Sequence, residues 1–431
     1  MKIAYFSPFS PDKSGISDFS EELVQELAKL CEVDLFANKP ITNETIKENF
    51  KIYNVEDIDD VELRNSYDHL IYQVGNNRTF HKDVVETFMK YPGILELHDL
   101  SLHHYLAEDT FVQKKFDKYI EIMKYCHGKE GEITARRFLN GEIRAPWENQ
   151  SNRYTVNKHL IDKAVALIVH SDMAKQFIKG IRPNAKVINI PLHTTELFKD
   201  YNQHREECKR DMNLEGKIVL GSFGYATIAK RIEPIIKALS EVKKQNICSF
   251  KYCIVGQVEH IPIEELKIQY DLENEIIVTG FTELETFKKY MGACDICFNL
   301  RYPTQGESSA SLHRMLGMGK VILVTDIGSF QEYPENVVFK VSHGSQEVKE
   351  IVDCLQTALS DLTSLEVRRK AAYDYAVKNC SLDTNVQRYV KFFEDIQKEC
   401  YQEEYIEHLL DVLQTIDLLD EGYITGHLKP C

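Results

Sequence analysis

Two successive series of short apolar runs, each run followed by a helical pattern, constrain the fold of this chain more than any other feature. The first series is KIAYFSPF, EVDLFA, HLIYQV, GILELH and ALIVHS, and the second is KIVLGSFG, KYCIVG, EIIVTG, ICFNLR and VILVTD. Short apolar runs between helical stretches are typical of buried strands in a parallel sheet. The pattern therefore predicts an α/β protein with parallel sheets.

A polar segment, Glu196 to Leu214, separates the two series and is interpreted as a linker. A chain of 431 residues also exceeds what one hydrophobic core usually organises. We therefore predict two Rossmann-like domains facing across a cleft, residues 1–195 and 196–380, with a helical insertion in the first at about 105–150. Ligands are expected in the cleft, at the carboxyl ends of the strands.

Charge and hydropathy exclude several classes of function. The formal net charge of −15 argues against a nucleic-acid groove, which needs clustered Lys and Arg. The opening MKIAYFSPFSP has too short an apolar run for a signal peptide and is expected to be a buried strand. No segment approaches the ~20 apolar residues that span a bilayer. A soluble protein, or at most a peripheral one, is expected.

The eleven cysteines, in a chain without an export signal, indicate a reducing compartment and hence the cytoplasm. Cys294 and Cys297 form an isolated CxxC pair. Zinc or redox chemistry would need a second ligand pair or a thioredoxin-like context, and neither is visible. Packing is the favoured interpretation, and no metal site is predicted.

The strongest candidate site lies in LRYPTQGESSASLHRMLGMGK, residues 300–320, where a strand breaks into a turn that opens a helix. Such a turn offers free backbone N–H groups, hydroxyls and a positive helix end, which together suit a phosphate. Phosphate would repel Glu307, so this carboxylate is expected to bind sugar hydroxyls. The sequence thus predicts a nucleotide-sugar site, with Gly306, Ser308, Ser309 and Ser311 beside the phosphates.

Cations surround the same cleft. Lys230 and Arg231 follow a strand that ends at Gly224, and they would oppose the dipole of the helix that begins there. A bound anion explains them better than the helix does, although a solvated basic pair remains the alternative. Arg301, Arg314 and Lys320 add positive charge to the fourth strand end. A doubly negative ligand is therefore expected.

Two further candidates lie in the first domain. In SPDKSGISDFS, Ser14 and Gly15 are placed to bring backbone close to a ligand, and Asp18 is placed to cap the next helix. In LELHDLSLHH, a strand ends at His98 and Asp99, a charged pair suited to meeting a ligand in the cleft. A histidine that merely satisfies a loop carbonyl stays open for His98.

These motifs, taken in order with RYTVNKHLIDKAVALIVHS and VILVTDIGSFQEYP, resemble glycosyltransferase family 4, which has the GT-B fold, over most of residues 1–345. The resemblance implies transfer of a sugar from a nucleotide diphosphate with retention of configuration and without a metal or other cofactor. It places the nucleotide mainly on the C-terminal domain and the acceptor mainly on the N-terminal one. It also implies that helices in residues 381–431 pack back on the first domain.

Matched position by position, the resemblance gives Gly15 a place near the donor phosphates, His98 one at the donor sugar and Lys230 one on the diphosphate. Glu307 matches the first of two glutamates. Two departures stand out: Gly224 occupies the position of a frequent arginine, and counting back from the helix end puts Arg314 in place of the second glutamate. Arg301 or Arg231 is expected to replace the missing arginine, and nucleoside recognition is left open.

A mechanism follows from charge. Double displacement needs two carboxylates across the anomeric carbon, and no second one is apparent. A front-face route would let the leaving diphosphate take the acceptor proton, with Lys230 and an arginine stabilising its charge. Glu307 would fix the sugar hydroxyls, and His98 would lie over the developing oxocarbenium ion.

The acceptor is less defined. The insertion is rich in cations, which suit anionic lipid, but interleaved acids make a salt-bridged, solvated face the favoured interpretation. The predicted function is transfer of a hexose or deoxyhexose from a GDP- or UDP-linked donor to a glycan, lipid-linked or protein acceptor. Asp18 and Asp99 are assigned to the acceptor side. A sugar-nucleotide epimerase or phosphorylase, and a catalytically silent subunit that binds a partner enzyme, are the alternatives. Oligomeric state is left open.

Overall fold

The computed structural model describes residues 1–360 and 362–415 of the chain. The strands of the first domain are β1 (Lys2–Phe6), β2 (Glu32–Phe36), β3 (Lys51–Tyr53), β4 (His69–Val74), β5 (Ile94–Leu97), β6 (Ala166–Val169) and β7 (Val187–Asn189). Its helices are α1 (Gly15–Leu27), α2 (Glu44–Asn49), α3 (Val61–Asn65), α4 (Arg78–Lys90), α5 (His103–Phe111), α6 (Phe116–Leu139), α7 (Pro146–Asn149), α8 (Lys158–Lys163) and α9 (Asp172–Ile181).

The second domain has the same alternation. Its strands are β8 (Ile218–Phe223), β9 (Phe250–Val255), β10 (Ile276–Gly280), β11 (Ile296–Asn299), β12 (Val321–Thr325) and β13 (Phe339–Val341). Its helices are α10 (Tyr201–Asp211), α11 (Ile232–Lys244), α12 (Ile263–Gln269), α13 (Leu284–Ala293), α14 (Ala310–Gly317), α15 (Glu347–Ser360) and α16 (Leu362–Asn379), and a last helix, α17 (Leu382–Thr415), follows them.

Each domain is built on one parallel sheet. The strand orders are β3-β2-β1-β4-β5-β6-β7 and β10-β9-β8-β11-β12-β13. In both, the order reverses beside the first strand, between β1 and β4 and between β8 and β11, and such a reversal opens a crevice at the carboxyl ends of the strands. The central strands are almost wholly buried because helices cover both faces. The predicted fold class, two Rossmann-like domains, is confirmed.

The segment predicted as a linker is largely helical. Within Glu196 to Leu214, α10 packs against α13 of the second domain. Only Cys208 and Lys209 of this helix are buried, so its sequence lacks the apolar stripe by which a helix is recognised. The connection between the domains is shorter, and there Thr194 donates a backbone hydrogen bond of 2.8 Å to the carbonyl of Cys380.

Helix α17 returns to the first domain. Val386, Tyr389 and Phe393 are buried in the core that contains strand β1. The ring of His69, on β4, contacts the carbonyl oxygen of Phe393 at 3.0 Å. Residues that follow the second domain in the chain therefore complete the first domain. Residues 416–431, which were also predicted to pack there, lie outside the described residues.

Three smaller features bear on the sequence predictions. Helices α5 to α7 cover the predicted insertion. Cys294 and Cys297 are fully buried free thiols in the second core, as packing predicts. In the part of the chain that the structure describes, no helix is long and apolar enough to cross a membrane.

Candidate active site

The loop after β1 delivers the first helix N-terminus to the cleft. Ser14 is the N-cap residue of α1, and its side chain accepts a hydrogen bond of 3.2 Å from the backbone N–H of Ile16. Gly15 then begins the helix. The prediction that Asp18 caps this helix is wrong: it lies in the first turn, where burial raises the pKa of its carboxyl to about 6 against the nearby charge of Arg314.

His98 and Asp99 follow β5 directly, as the sequence indicates. The His98 ring is held on both sides: Nε2 lies 2.7 Å from Oε1 of Gln73, and Nδ1 lies 3.2 Å from Nε2 of His170. Asp99 accepts a backbone hydrogen bond of 2.8 Å from Asn76. Burial, opposed by that hydrogen bond and reinforced by the charge of Glu307, raises the pKa of Asp99 to about 6. The two residues thus face the second domain from a fixed loop.

Lys230 is a buried amine at the facing strand end. It ends a short 3-10 helix, and its Nζ donates to the carbonyl of Phe223, the last residue of β8. Gly224 has a φ of 87°, and a side chain there would begin 3.1 Å from the amine, so glycine both permits the turn and leaves room for the lysine. Burial and the charge of Arg301 lower the pKa of Lys230 well below its usual value, and Glu307 opposes them. An anion bound here would restore the missing negative charge.

Glu307 and Arg301 lie beside this amine. The carboxylate of Glu307 accepts hydrogen bonds from the hydroxyl of Thr304 at 2.8 Å and from the backbone N–H of Gln305 at 2.6 Å. Its second oxygen is 3.7 Å from Nε of Arg301. Among the described residues, neither this Nε nor the buried side-chain nitrogen of Asn299 has a hydrogen-bond acceptor. A buried donor without an acceptor calls for an explanation, and a bound polar ligand, an ion or a water molecule would each provide one.

The serines open helix α14 as predicted. Ser309 is its N-cap, accepting from the N–H of Leu312 at 3.3 Å, and its Oγ lies 3.1 Å from that of Ser311. Ser308 instead donates a 3.1 Å hydrogen bond to the carbonyl of His170, in the other domain. Two serines therefore belong to the helix N-terminus, and the third belongs to the domain interface.

The turn before α14 closes against the first domain. Gly306 has a φ of 74°, and a side chain there would begin 2.8 Å from Cβ of Leu100. The carbonyl of Gln305 accepts a 3.0 Å hydrogen bond from the N–H of Ser101. Farther along, Glu332 accepts from the backbone N–H groups of residues 172 and 173 at 2.9 and 2.6 Å, at the N-terminus of α9. The two walls are in contact in this closed arrangement.

Arg231 does not join the cleft cations. Its guanidinium forms a two-pronged ion pair with the buried carboxylate of Glu347, the first residue of α15. This pairing raises the pKa of Arg231. Of the two arginines expected to replace the one missing at Gly224, the geometry favours Arg301, because the charge of Arg231 is already neutralised.

Arg314 joins the two domains. Its guanidinium contacts the carboxylates of Glu22, on α1, at 2.9 Å and of Glu196, in the connection, at 2.5 Å. Lys288 binds the other oxygen of Glu196 at 2.9 Å. We call these four side chains the Arg314 clasp. Lys320, which the sequence grouped with these cations, is buried elsewhere and donates to the carbonyl of Gly292.

Sequence reasoning missed the polar side chains behind His98. Gln73 and Glu96 lie on β4 and β5, His170 follows β6, and Tyr389 comes from α17. Burial, opposed by hydrogen bonds from Tyr389 and Gln73, raises the pKa of Glu96 to about 7. The pattern that identified His98 would also have identified His170, because His170 too lies at the end of an apolar run, ALIVHS. Tyr389 carried no such signal.

Two domains, each built on a parallel sheet, and a last helix that crosses back to the first domain define the class: the protein has the GT-B fold of glycosyltransferases. Residues 217–361, within the second domain, match the model of a family described as Glycosyl transferases group 1. No curated protein sequence matches the chain.

Solved structures agree on the fold. HepE from Anabaena, crystallised with UDP, aligns with a TM-score of 0.65 at 15% identity over 92% of this chain and 100% of its own. Sucrose-phosphate synthase from Thermosynechococcus elongatus aligns at 0.66 and 13% identity, over 92% of this chain and 99% of its own. A glycosyltransferase from Rickettsia africae aligns at 0.64 and 13% identity, over 92% and 98%.

Proposed function

We propose that this protein transfers a hexose or deoxyhexose from a nucleoside diphosphate sugar to an acceptor held by the first domain, with retention of anomeric configuration. The observation that carries the proposal is the cluster of Lys230, Arg301 and Glu307 at one edge of the second sheet. There two cations lie near one carboxylate, and the buried donors of Asn299 and Arg301 have no acceptor among the described residues. HepE, which shares the fold, has been solved with UDP-glucose. UDP or GDP is the proposed leaving group.

The donor diphosphate lies, in this proposal, between Lys230, Arg301 and the N-termini of α14 and α1. Backbone N–H groups and fixed cations in a water-poor cleft stabilise negative charge that develops as the glycosidic bond breaks. These groups would neutralise the diphosphate charge that a divalent metal neutralises in other transferases. We therefore propose that donor binding does not change when Mg²⁺ or Mn²⁺ is added. Glu307, oriented by Thr304 and Gln305, holds sugar hydroxyls.

A front-face route fits this arrangement. Asp99 is close enough to Glu307 for the charge of Glu307 to raise its pKa, but both carboxylates are already engaged by hydrogen bonds. The leaving diphosphate then accepts the proton of the acceptor hydroxyl. Because both ring nitrogens of His98 face protein side chains, we assign to its backbone carbonyl and ring face, rather than to its ring nitrogens, the contact with the developing oxocarbenium ion.

The acceptor is proposed to be a glycan, free, lipid-linked or on a protein, bound beside Asp99 and Asp18. In the insertion, Glu132 pairs with both Lys124 and Arg136, and Lys118 pairs with Asp109, which supports a solvated, salt-bridged face. The nine cysteines from Cys31 to Cys380 are free thiols, which supports a cytoplasmic location. Polysaccharide assembly at the inner membrane face is the proposed setting.

The first test is a thermal-shift screen of the full chain against UDP, GDP, dTDP, ADP and their common sugar conjugates. A ligand at 100 times its dissociation constant adds about 2.7 kcal/mol to the stability of the native state. We expect one nucleotide sugar to stabilise the chain selectively. Slow hydrolysis of that donor without acceptor would then support an active transferase.

Donor binding without any hydrolysis or transfer would favour a silent subunit, and no stabilisation by any nucleotide would overturn the proposal. Conversion of the donor to its epimer would replace transfer by an epimerase activity. The departures at Gly224 and Arg314 do not favour the silent alternative, because each residue has a structural role in the closed arrangement.

A further inference from the structure

Three potential metal ligands meet behind the cleft. Glu96 lies on β5, His98 follows the same strand, and His170 follows the neighbouring strand β6. One ligand atom from each side chain lies within 4.8 Å of those of the other two. Glu96 and His170 are buried, whereas His98 is partly exposed toward the cleft. We call these three residues the His-His-Glu cluster.

Hydrogen bonds fix the tautomer of each histidine. Gln73 donates its amide N–H to Glu96 at 2.7 Å, so its oxygen faces Nε2 of His98 at 2.7 Å and requires the proton to be on that nitrogen. The carbonyl oxygen of Ile190 lies 2.8 Å from Nδ1 of His170 and requires a proton there. In a neutral imidazole the other nitrogen then carries no proton.

The two bare nitrogens point at each other. Nδ1 of His98 and Nε2 of His170 are 3.2 Å apart, and an oxygen of Glu96 is 3.6 Å from Nε2 of His170. Two lone pairs and a carboxylate at such distances repel one another unless a proton or a metal cation lies between them. In a tetrahedral zinc site with Zn–N bonds of about 2.0–2.1 Å, neighbouring nitrogens are about 3.3 Å apart. The observed separation matches this spacing.

The surroundings complete a metal site. Histidines that bind metals usually donate their other N–H to a carbonyl or carboxylate oxygen, and both histidines here do so. Glu96 is oriented by Gln73 and by the hydroxyl of Tyr389, which donates to it from α17. His98 is the least buried of the three ligands, and a water molecule is the expected fourth ligand.

We propose that the His-His-Glu cluster binds one Zn²⁺ through Nδ1 of His98, Nε2 of His170 and the carboxylate of Glu96. The ion is a positioning device: it fixes the His98 ring and the loop that follows, and it ties α17 to the first-domain sheet through Tyr389 and Glu96. The site is separate from the diphosphate cluster on the other wall. It does not depend on which sugar, or whether any sugar, is transferred.

The test is metal content and affinity of the full-length protein. The chain is stripped with a chelator, supplied with ZnCl₂, desalted and measured by elemental analysis, and CoCl₂ is used in parallel for its visible spectrum. We expect about one Zn²⁺ per chain, since three ligands and an oriented outer shell are present. The cobalt form should show the strong visible bands of a four-coordinate ion.

Variants locate the site. Glu96→Gln keeps the shape of the side chain and should weaken Zn²⁺ binding by about 100-fold or more, since loss of an outer-shell partner alone costs about 10–100-fold. His170→Gln should do the same. The matched control is His69→Gln, a buried histidine on β4 that also contacts a backbone carbonyl but lies outside the cluster. It should bind zinc like the natural protein.

The proposal would be overturned if Glu96→Gln and His170→Gln bound Zn²⁺ as tightly as the natural protein does. It would also be overturned if the natural protein bound no Zn²⁺. The second result would mean that a proton fills the gap and His170 is an imidazolium. If a variant fails to fold, anomalous diffraction at the zinc edge from crystals of the natural protein decides. A peak between His98 and His170 supports the site, and its absence overturns it.

Discussion

Two groups of cations lie at or beside the segment 300–320, and they differ in the number of carboxylates that hold them. Near its start, Arg301 lies 3.7 Å from one carboxylate, Glu307, whose charge also acts on Lys230, and among the described residues Lys230 donates a hydrogen bond to a carbonyl. At its end, Arg314 is held by two carboxylates from two other parts of the chain. The number of carboxylate partners therefore distinguishes the cations that we propose bind the donor from the cation that joins the domains, although both look alike in sequence.

The largest effect is expected from Lys230→Ala. Removing one fixed donor to a developing charge typically costs about 10²–10³-fold in turnover. Since the buried amine is short of negative partners in the free protein, its loss should leave the thermal midpoint unchanged or slightly raised. The measurement is transfer or donor hydrolysis beside a melting curve, with Lys237→Ala, a more exposed lysine on the next helix, as control. Unchanged turnover would mean that Lys230 is not a ligand-binding cation.

Arg314→Met should have the reverse profile. Removing one member of a buried ion pair leaves its partners uncompensated and costs about 3 kcal/mol or more of stability. We expect a lower midpoint of urea denaturation, while the donor affinity of the folded protein changes little. The exposed Arg210→Met serves as control. A loss of donor affinity without a loss of stability would place Arg314 in the nucleotide site instead.

Acid should weaken the Arg314 clasp. Burial would raise the pKa of Glu22, but His193 and Arg314 lower it from 4.5 to about 2. A carboxylate with a lowered pKa in the folded state stabilises it above the unfolded pKa, and this contribution is lost as pH falls from about 4.5 to 2. The difference in stability between the natural chain and Glu22→Gln should therefore shrink by at most about 3 kcal/mol over that range. Denaturation at several pH values checks this, with Glu26→Gln, on the same helix but outside the clasp, as the comparison variant.

The smallest effect is expected from Glu332→Ala. This carboxylate accepts two backbone N–H groups at the start of α9, as an N-cap side chain would, but from the other domain. Loss of a cap costs about 1 kcal/mol. A small drop in thermal midpoint is expected, whereas Glu335→Ala, an exposed neighbour, should cause none. A drop as large as that of Arg314→Met would show that partner number does not rank these contacts.

Much of the fold could be predicted because buried parallel strands are short apolar runs, and each run listed for the two series contains or borders a strand. Helix α10 was not predicted, because it buries only Cys208 and Lys209 and so lacks an apolar stripe. Of the site, the cap at Ser309 and the strand-end residues His98 and Lys230 follow from local patterns. The partners of Arg314 do not, because Glu22 is 292 residues away and nothing in either neighbourhood specifies the other.

The return of α17 has a consequence for how the molecule is made. The core around β1 includes Val386, Tyr389 and Phe393, so the first domain stays incomplete until α17, which follows the second domain in the chain, has emerged from the ribosome. During that interval the second domain can fold on its own contacts, whereas the first exposes the apolar surface that α17 later covers. The first domain is therefore begun before the second domain and completed after it.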